Sequence, residues 1–429
     1  MSDDAATEEH RRTAAHAYSA LGCLLLDAGT SVTDVRDSLE RATAASGDDG
    51  LAFSVLPQLI IVNDLHTGAV LAVGNTHGEL SFRGAARANR LMRELELGHW
   101  PVGDLPARVQ SIRETPRPHA SMHWVVGNLL LAGGLALLFR CPWWAIVASM
   151  LVGAFVGLVI TLLARWRGAV AIAPFVTAFV STTLVGTLAS AMDLGPVPLF
   201  AVCAPIAILV PGALITNALL ELTATDIVTG SARLMYGLIV LAFMAAGISA
   251  GALLTGLSID PDSTALVGQL GRGTTDLVGW EAIPPLWFTW IGVVMLAAGI
   301  GIAFGSGRSL TLLTICVMAL TYAGIVLFAP LVGNAVATGL TAGLVFVVAR
   351  IVERYSAAVP SNVTFQPALL MLVPGTVGLV SLATLEGSAV TAALTVFISL
   401  CVGVKTAAVV TGVVIPPVRP RSDSPSPAP

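Results

Sequence analysis

Long apolar runs alternate with short polar connections from about residue 123 to about residue 415. A helix needs about 20 residues to cross the hydrocarbon core of a bilayer. Ten runs approach or exceed that length, at residues 123–140, 142–164, 168–191, 196–220, 234–257, 284–304, 308–328, 331–349, 362–385 and 388–415. The pattern therefore predicts a mainly α-helical membrane protein with ten transmembrane helices.

Residues 1–120 have a different pattern, in which short apolar stretches alternate with charged residues. Helical spacing of the apolar positions predicts helices over 14–28, 32–45, 84–97 and 105–113, and β-branched stretches predict strands over 51–55, 58–62 and 69–73. Gly29 is expected to end the first helix, and Thr30 or Ser31 to cap the second. We expect a small α+β domain, held in the cytosol because no apolar signal segment follows the charged first residues.

The arginines near the ends of the spans support a cytosolic N-terminus, because cytoplasmic loops of membrane proteins are enriched in basic residues. Arginines expected on the cytosolic side outnumber those outside, Arg165, Arg167, Arg233, Arg308, Arg350, Arg354, Arg419 and Arg421 against Arg140 and Arg272. This topology places both termini in the cytosol and the connection 258–283 outside. The connection separates five spans in 121–257 from five in 284–415, and the Pro- and Ser-rich tail 416–429 is expected to be disordered.

One short phrase occurs once in each set of spans, as Leu-Val-Pro-Gly at 209–212 and at 372–375. An odd number of spans per set makes the second set enter the membrane upside down, so we predict two inverted five-helix repeats. Pro211-Gly212 and Pro374-Gly375 lie at similar offsets within the two sets. A Pro-Gly pair breaks a helix and frees backbone groups that lipid cannot satisfy. We therefore predict that each pair interrupts a transmembrane helix and that the two interruptions meet at a binding site.

Polar residues follow the first Pro-Gly pair. Asn217, Glu221 and Thr225 are spaced i, i+4, i+8 and would share one face of a continuing helix, with Thr216 beside them. An ionisable group at membrane depth costs about 2.5–3.5 kcal/mol on insertion scales, so Glu221 is expected to face a cavity. Asp226 and Arg233 follow, either as an interfacial pair that fixes a helix end or as part of the site.

The second set offers fewer polar residues. Lys405, the one lysine of the chain, falls inside the tenth span and must pair, snorkel or deprotonate there. Glu386 is expected opposite Glu221 across the membrane, or in a solvated loop. Asn334 adds a polar group near the start of the eighth span. Hydroxyl groups are frequent near these positions, although Ser and Thr commonly bond their own helix backbone in membranes.

Composition excludes several other classes of protein. The chain is 55% hydrophobic and 11% charged with a net charge of −4, and no basic stripe points to a nucleic-acid partner. The five cysteines are scattered singly, which favours buried apolar roles and no metal site. All seven histidines lie at or before His123, so the spans lack the residues of a membrane enzyme, and no repeated polar ring indicates a channel. No cofactor is expected, and a hydrolase or sensor role stays open for the front domain.

The run from Val210 to Leu234, with its sequence VPGALITNALLELTATDIVTGSARL, closely resembles the signature of the bacterial threonine/serine exporter family. The segments 24–35 and 88–91 are similar to that family's N-terminal domain, although some positions expected between the strands are missing. The resemblance implies a secondary transporter of the bacterial cytoplasmic membrane that exports threonine and serine with the proton gradient. Transport of another small carboxylate or metabolite, in either direction, is the alternative, and a homo-oligomer stays open.

Overall fold

The computed structural model describes residues 2–48, 50–75, 78–115, 117, 119–166, 168–260, 267, 278–355, 361–372 and 387–414. These residues form two compact units. The first holds the described residues of Met1–Pro116, Arg350–Asn362 and Ala408–Pro429, and the second those of Arg117–Ala349 and Val363–Ala407. The expected boundaries of the two repeats, at 257/258 and 283/284, stay predictions.

The first unit begins with four helices and three strands. The helices are α1 (Ser2–Asp27), α2 (Val32–Ser46), α3 (Phe82–Glu96) and α4 (Leu105–Arg113). Gly29 has a φ of 80°, a conformation that favours glycine, and follows the end of α1. The Ser31 side chain caps α2 by accepting a hydrogen bond from the Asp34 amide. Both predicted boundary signals are confirmed, and α1 starts earlier than its apolar pattern indicated.

Strands β1 (Leu51–Leu56), β2 (Leu59–Asp64) and β3 (Val70–Gly74) form an antiparallel sheet in the order β1-β2-β3. Phe53 pairs with Val62, which pairs with Leu71 on its other side, so these side chains share one face. Helix α1 packs closely on this sheet, because a Cβ built on Gly22 would lie 2.6 Å from Ile60 Cδ1. The small α+β front domain is therefore present.

The membrane helices follow in an order that matches the predicted spans. They are α5 (Ala120–Leu138), α6 (Trp143–Leu163), α7 (Ala173–Ala191), α8 (Leu199–Cys203), α9 (Gly212–Leu222), α10 (Ile227–Thr255), α11 (Phe288–Ala303), α12 (Arg308–Val332), α13 (Asn334–Tyr355), α14 (Ser361–Leu372) and α15 (Gly387–Val414).

Within the described residues, seven helices are long and apolar enough to cross a membrane, or eight when the bent pair at 199–209 and 214–222 is taken as one span. Helix α11 is apolar but has only 16 residues. The residues 373–386 that would complete the ninth span lie outside the described part of the chain. The protein is therefore a multi-pass membrane protein, while the number ten and the inverted repeats stay predictions.

Glycines bring the membrane helices into close contact. Helices α5 and α11 run antiparallel, since Gly127 approaches Ala303 while Gly134 approaches Leu296. A Cβ on Gly134 would lie 2.5 Å from the backbone nitrogen of Leu296. Small residues allow such backbone contact between membrane helices, where van der Waals packing replaces the hydrophobic effect as the driving force.

Four of the five cysteines are buried, as expected, and one is exposed. Cys23, Cys141, Cys203 and Cys401 are buried, whereas Cys316 in α12 is exposed. The expectation for Cys316 was wrong because α12 turns this side chain away from its helix neighbours, and an apolar thiol is compatible with a lipid-facing position.

Candidate functional site

The first Pro-Gly pair does break a membrane span. Helix α8 continues as a 3-10 helix over Ala204–Leu209, Val210 is extended, and α9 starts at Gly212. The two halves are bent by 68°. Pro205 and Pro211 cannot donate backbone hydrogen bonds, so the α-helical ladder cannot run through this segment. The second pair, Pro374-Gly375, and Glu386 lie outside the described residues.

Three polar side chains from three helices satisfy carbonyls in the first half of the broken span. Asn128 of α5 donates from Nδ2 to the Pro205 carbonyl at 2.9 Å. Ser181 of α7 donates to the Val202 carbonyl at 3.1 Å, and Ser149 of α6 to the Ala201 carbonyl at 3.4 Å. Ala201 lies four residues before Pro205 and would have bonded its missing N–H. Neighbouring helices thus replace the bonds that the prolines remove.

Asn128 and Ser149 were not identified from the sequence as residues that support the broken span. Asn128 is fully buried, and its Nδ2 also donates to the Gly153 carbonyl of α6 at 2.7 Å. In the described part of the chain no donor reaches its Oδ1. A lone asparagine inside an apolar span was the available signal, because a buried amide in a membrane needs partners.

The second half of the broken span carries the predicted polar residues. The Gly212 amide donates a hydrogen bond to the Val210 carbonyl at 2.8 Å. The first backbone hydrogen bond of α9 runs from the Ile215 amide to the Pro211 carbonyl at 3.0 Å. Thr216 is buried, but its hydroxyl donates to the Gly212 carbonyl. Its hydroxyl is therefore used by its own helix. Asn217 is half-buried one turn before Glu221.

Glu221 is 1% exposed and forms an ion pair with Nη1 of Arg233 in α10. The Arg233 side chain is 15% exposed, so it is more accessible than the carboxylate with which it pairs. Close packing supports this pair, because a Cβ on Gly230 of α10 would lie 2.8 Å from the Ala218 carbonyl of α9. Helices α9 and α10 therefore form a tight hairpin that holds two opposite charges in contact.

The predicted polar stripe ends earlier than expected. Helix α9 ends at Leu222, and Thr225 has a φ of 69° in the turn that joins the hairpin. Thr225 does not continue the face of Asn217 and Glu221, because the chain reverses direction after Leu222. Asp226 is the residue just before α10, and its amide donates to the Glu221 carbonyl at 3.0 Å.

The remaining predicted site residues lie on α13 and α15. Asn334 begins α13 and is half-buried, and its carbonyl accepts from the Thr338 hydroxyl at 2.8 Å. Lys405 is half-buried inside α15, one turn after Cys401. The ion pairs within the described ranges do not include Lys405. The structure thus brings together Glu221 and Arg233, and does not join them to Lys405 or Asn334.

A second polar feature lies toward the far end of the α9–α10 hairpin. Hydroxyl groups line an open groove of about 350 Å³ between α7 and α10, formed by Thr183, Thr187, Ser190, Ala191, Leu254 and Thr255. Thr255 is about 33 Å along α10 from Arg233 at 1.5 Å per residue. The ion pair and the groove therefore occupy opposite ends of the same helix. Among the described residues, no group of three His, Cys, Asp or Glu side chains is arranged to hold a metal ion.

Comparison with known protein families identifies the family of this chain. The family model ThrE, which describes threonine/serine exporters, matches residues 16–255. The chain belongs to the threonine/serine exporter family. The match runs from α1 to the end of α10 and contains the broken span, Glu221 and Arg233. No curated protein and no solved structure matches the chain. As a member of a transporter family, the protein is a membrane transporter and not an enzyme.

Proposed function

We propose that this protein is a secondary transporter that exports threonine, serine or similar small amino acids across the bacterial cytoplasmic membrane by proton antiport. Its family is that of threonine/serine exporters. The observation that carries the proposal is Glu221, a buried carboxylate in the half-helix that restarts after Pro211. Charged groups inside membranes are costly and mark ion and substrate pathways, so a retained carboxylate here supports a transport role.

A proton antiporter needs one group that exchanges a proton for substrate. Glu221 has the chemistry for this task, because a carboxylate accepts either a proton or the ammonium group of an amino acid. Amides at the start of α9, behind Pro211 and Gly212, would stabilise negative charge through the positive end of the helix dipole. Thr216, Asn217 and Asp226 complete the polar lining that we assign to this half of the site.

The proposed architecture has ten spans in two inverted sets of five, with both termini in the cytosol. Antiparallel packing of α5 against α11, the first helix of each set, agrees with an inverted relation. We assign Pro374-Gly375 as the second break, and Asn334, Glu386 and Lys405 as polar groups of the second half. A homo-oligomer is compatible with this arrangement.

Counterflow in proteoliposomes tests the proposal. Purified full-length protein is reconstituted, vesicles are loaded with unlabelled threonine, and uptake of labelled threonine is followed with and without an imposed pH gradient. We expect counterflow of threonine and serine, and net flux that depends on the gradient. Counterflow of a different small carboxylate without any threonine exchange would favour the alternative substrate class, and an absence of gradient response would contradict antiport.

A further inference from the structure

Within the described residues of Arg117–Ala349 and Val363–Ala407, Glu221 and Arg233 form the one ion pair. The desolvation of a buried ion pair can exceed its Coulombic gain, and well-packed apolar residues often stabilise a fold equally well. Stability therefore gives no reason for a charged pair at this position. A functional role would explain why two opposite charges occupy facing helices of one hairpin.

The two charges also differ in accessibility. Glu221 is 1% exposed and the Arg233 side chain 15%, so the arginine is the more accessible partner of the pair. A guanidinium binds carboxylates with two parallel hydrogen bonds, a geometry that an amine cannot match. The two opposite charges suit a ligand that offers a carboxylate to the guanidinium and an ammonium group to the buried carboxylate.

We infer that the zwitterionic part of an α-amino acid separates Glu221 from Arg233 and then pairs with both side chains. Its carboxylate binds Arg233 and its ammonium group binds Glu221. This inference rests on the proposed function, since it assigns that function's substrate to these two side chains. One ion pair becomes two, because each side chain exchanges its partner in the pair for a charged group of the ligand.

The exchange also gives a basis for substrate selection. An amine without a carboxylate offers Arg233 nothing in exchange for Glu221, and a carboxylate without an amine offers Glu221 nothing in exchange for Arg233. Only a ligand with both charges compensates both side chains. The glycine contacts between α9 and α10 hold the two helix backbones close together, so the hairpin limits how far the two charged side chains can separate.

Competition binding with three ligands tests the inference on purified full-length protein. The ligands are L-threonine, L-threoninol, which lacks the carboxylate, and 2,3-dihydroxybutanoate, which has a hydroxyl in place of the amine. Wild-type protein should prefer threonine over both by at least tenfold. Arg233→Gln should remove the preference over threoninol, and Glu221→Gln the preference over dihydroxybutanoate. A purely structural pair would not produce this crossed pattern.

The double variant Glu221→Gln/Arg233→Gln guards against misfolding, because it leaves no unpaired charge. It should fold and bind threonine at least tenfold more weakly. The matched control is Arg350→Gln/Glu353→Gln, which removes an ion pair near the end of α13 and should leave threonine binding unchanged. Normal threonine binding by the double variant, or unchanged ligand preferences in the single variants, would overturn the inference alone. A wild-type protein that binds none of the three ligands would overturn the proposed function as well.

Discussion

Asn128 shows how a single side chain can maintain a broken membrane helix. Its amide nitrogen donates to the carbonyls of Gly153 and Pro205, which belong to two different segments. The hydrocarbon core of a bilayer supplies no water to replace these bonds. The geometry of the break at Pro211 therefore depends on a residue that is distant in sequence.

Replacing Asn128 with leucine should destabilise the protein by about 1–3 kcal/mol, because two hydrogen bonds are lost in a dry interior. The loss should lie toward the lower end, since the variant also removes the buried Oδ1 that has no donor in the described structure. Thermal unfolding of the purified protein measures the effect. Ser149→Ala removes a single long bond and should cost less than about 1 kcal/mol. An Asn128→Leu protein as stable as wild type would show that the amide bonds are dispensable.

At this scale the sequence predicts local chemistry better than long-range partners. Gly29 was identified, and the cap was narrowed to Thr30 or Ser31, because a helix stop and an N-cap are decided within a few residues. Asn128 was missed because its acceptors, Gly153 and Pro205, come from other helices. Thr225 was placed on a helix face because nothing in the spacing signals that the chain turns after Leu222.

At the scale of elements, the break at Pro211-Gly212 is the main departure from regular helix. Proline and glycine cost about 3 and 1 kcal/mol relative to alanine in a helix interior. The variant Pro205→Ala/Pro211→Ala/Gly212→Ala, which replaces both prolines of the segment, should therefore straighten the span, keep or raise thermal stability, and lower threonine counterflow at least tenfold. Pro330→Ala is the control, because Pro330 lies within the continuous helix α12. Full counterflow in the straightened variant would show that the break serves folding only.

The α9–α10 hairpin gives a second prediction at this scale. A Cβ on Gly230 would lie 2.8 Å from the Ala218 carbonyl, which is backbone and cannot rotate away. Gly230→Ala should push the two helices apart, misalign Glu221 and Arg233, and reduce counterflow several-fold. Gly412→Ala in α15 adds the same methyl group where no atom of the described residues outside its own stretch of helix lies within 4 Å, and it should leave counterflow unchanged. Equal activity of the two variants would contradict a tightly packed hairpin.

The hydrophobic pattern predicted the existence and order of the elements well. Helix α4 has the predicted bounds, and the strands lie within two residues of their predicted positions. The fourth span could not be resolved by pattern alone, since α8, the 3-10 segment and α9 form one continuous apolar run. Only the bend separates them, and that bend depends on prolines and on polar side chains of α5, α6 and α7.

At the scale of the whole molecule, the predicted topology assigns each loop to one side of the membrane. Single cysteines at Asp193 and Leu331, in a background without native cysteines, should react with a membrane-impermeant maleimide added to intact cells. Single cysteines at Trp166 and Ser309 should react only after permeabilisation. Two of these positions lie within each proposed set of spans, so the four results check the inverted relation as well as the orientation. Labelling of Ser309 from outside would contradict the inverted arrangement.

Gradient-driven threonine flux in proteoliposomes, compared between wild type and Glu221→Gln, tests the central claim most directly. The substitution keeps the shape of the side chain and removes its charge and its proton exchange. Equal incorporation and orientation of both proteins must be verified. We expect wild type to accumulate threonine in response to a pH gradient and Glu221→Gln to lose that response. A Glu221→Gln protein that moves threonine at the wild-type rate, with the wild-type dependence on the gradient, would contradict the account.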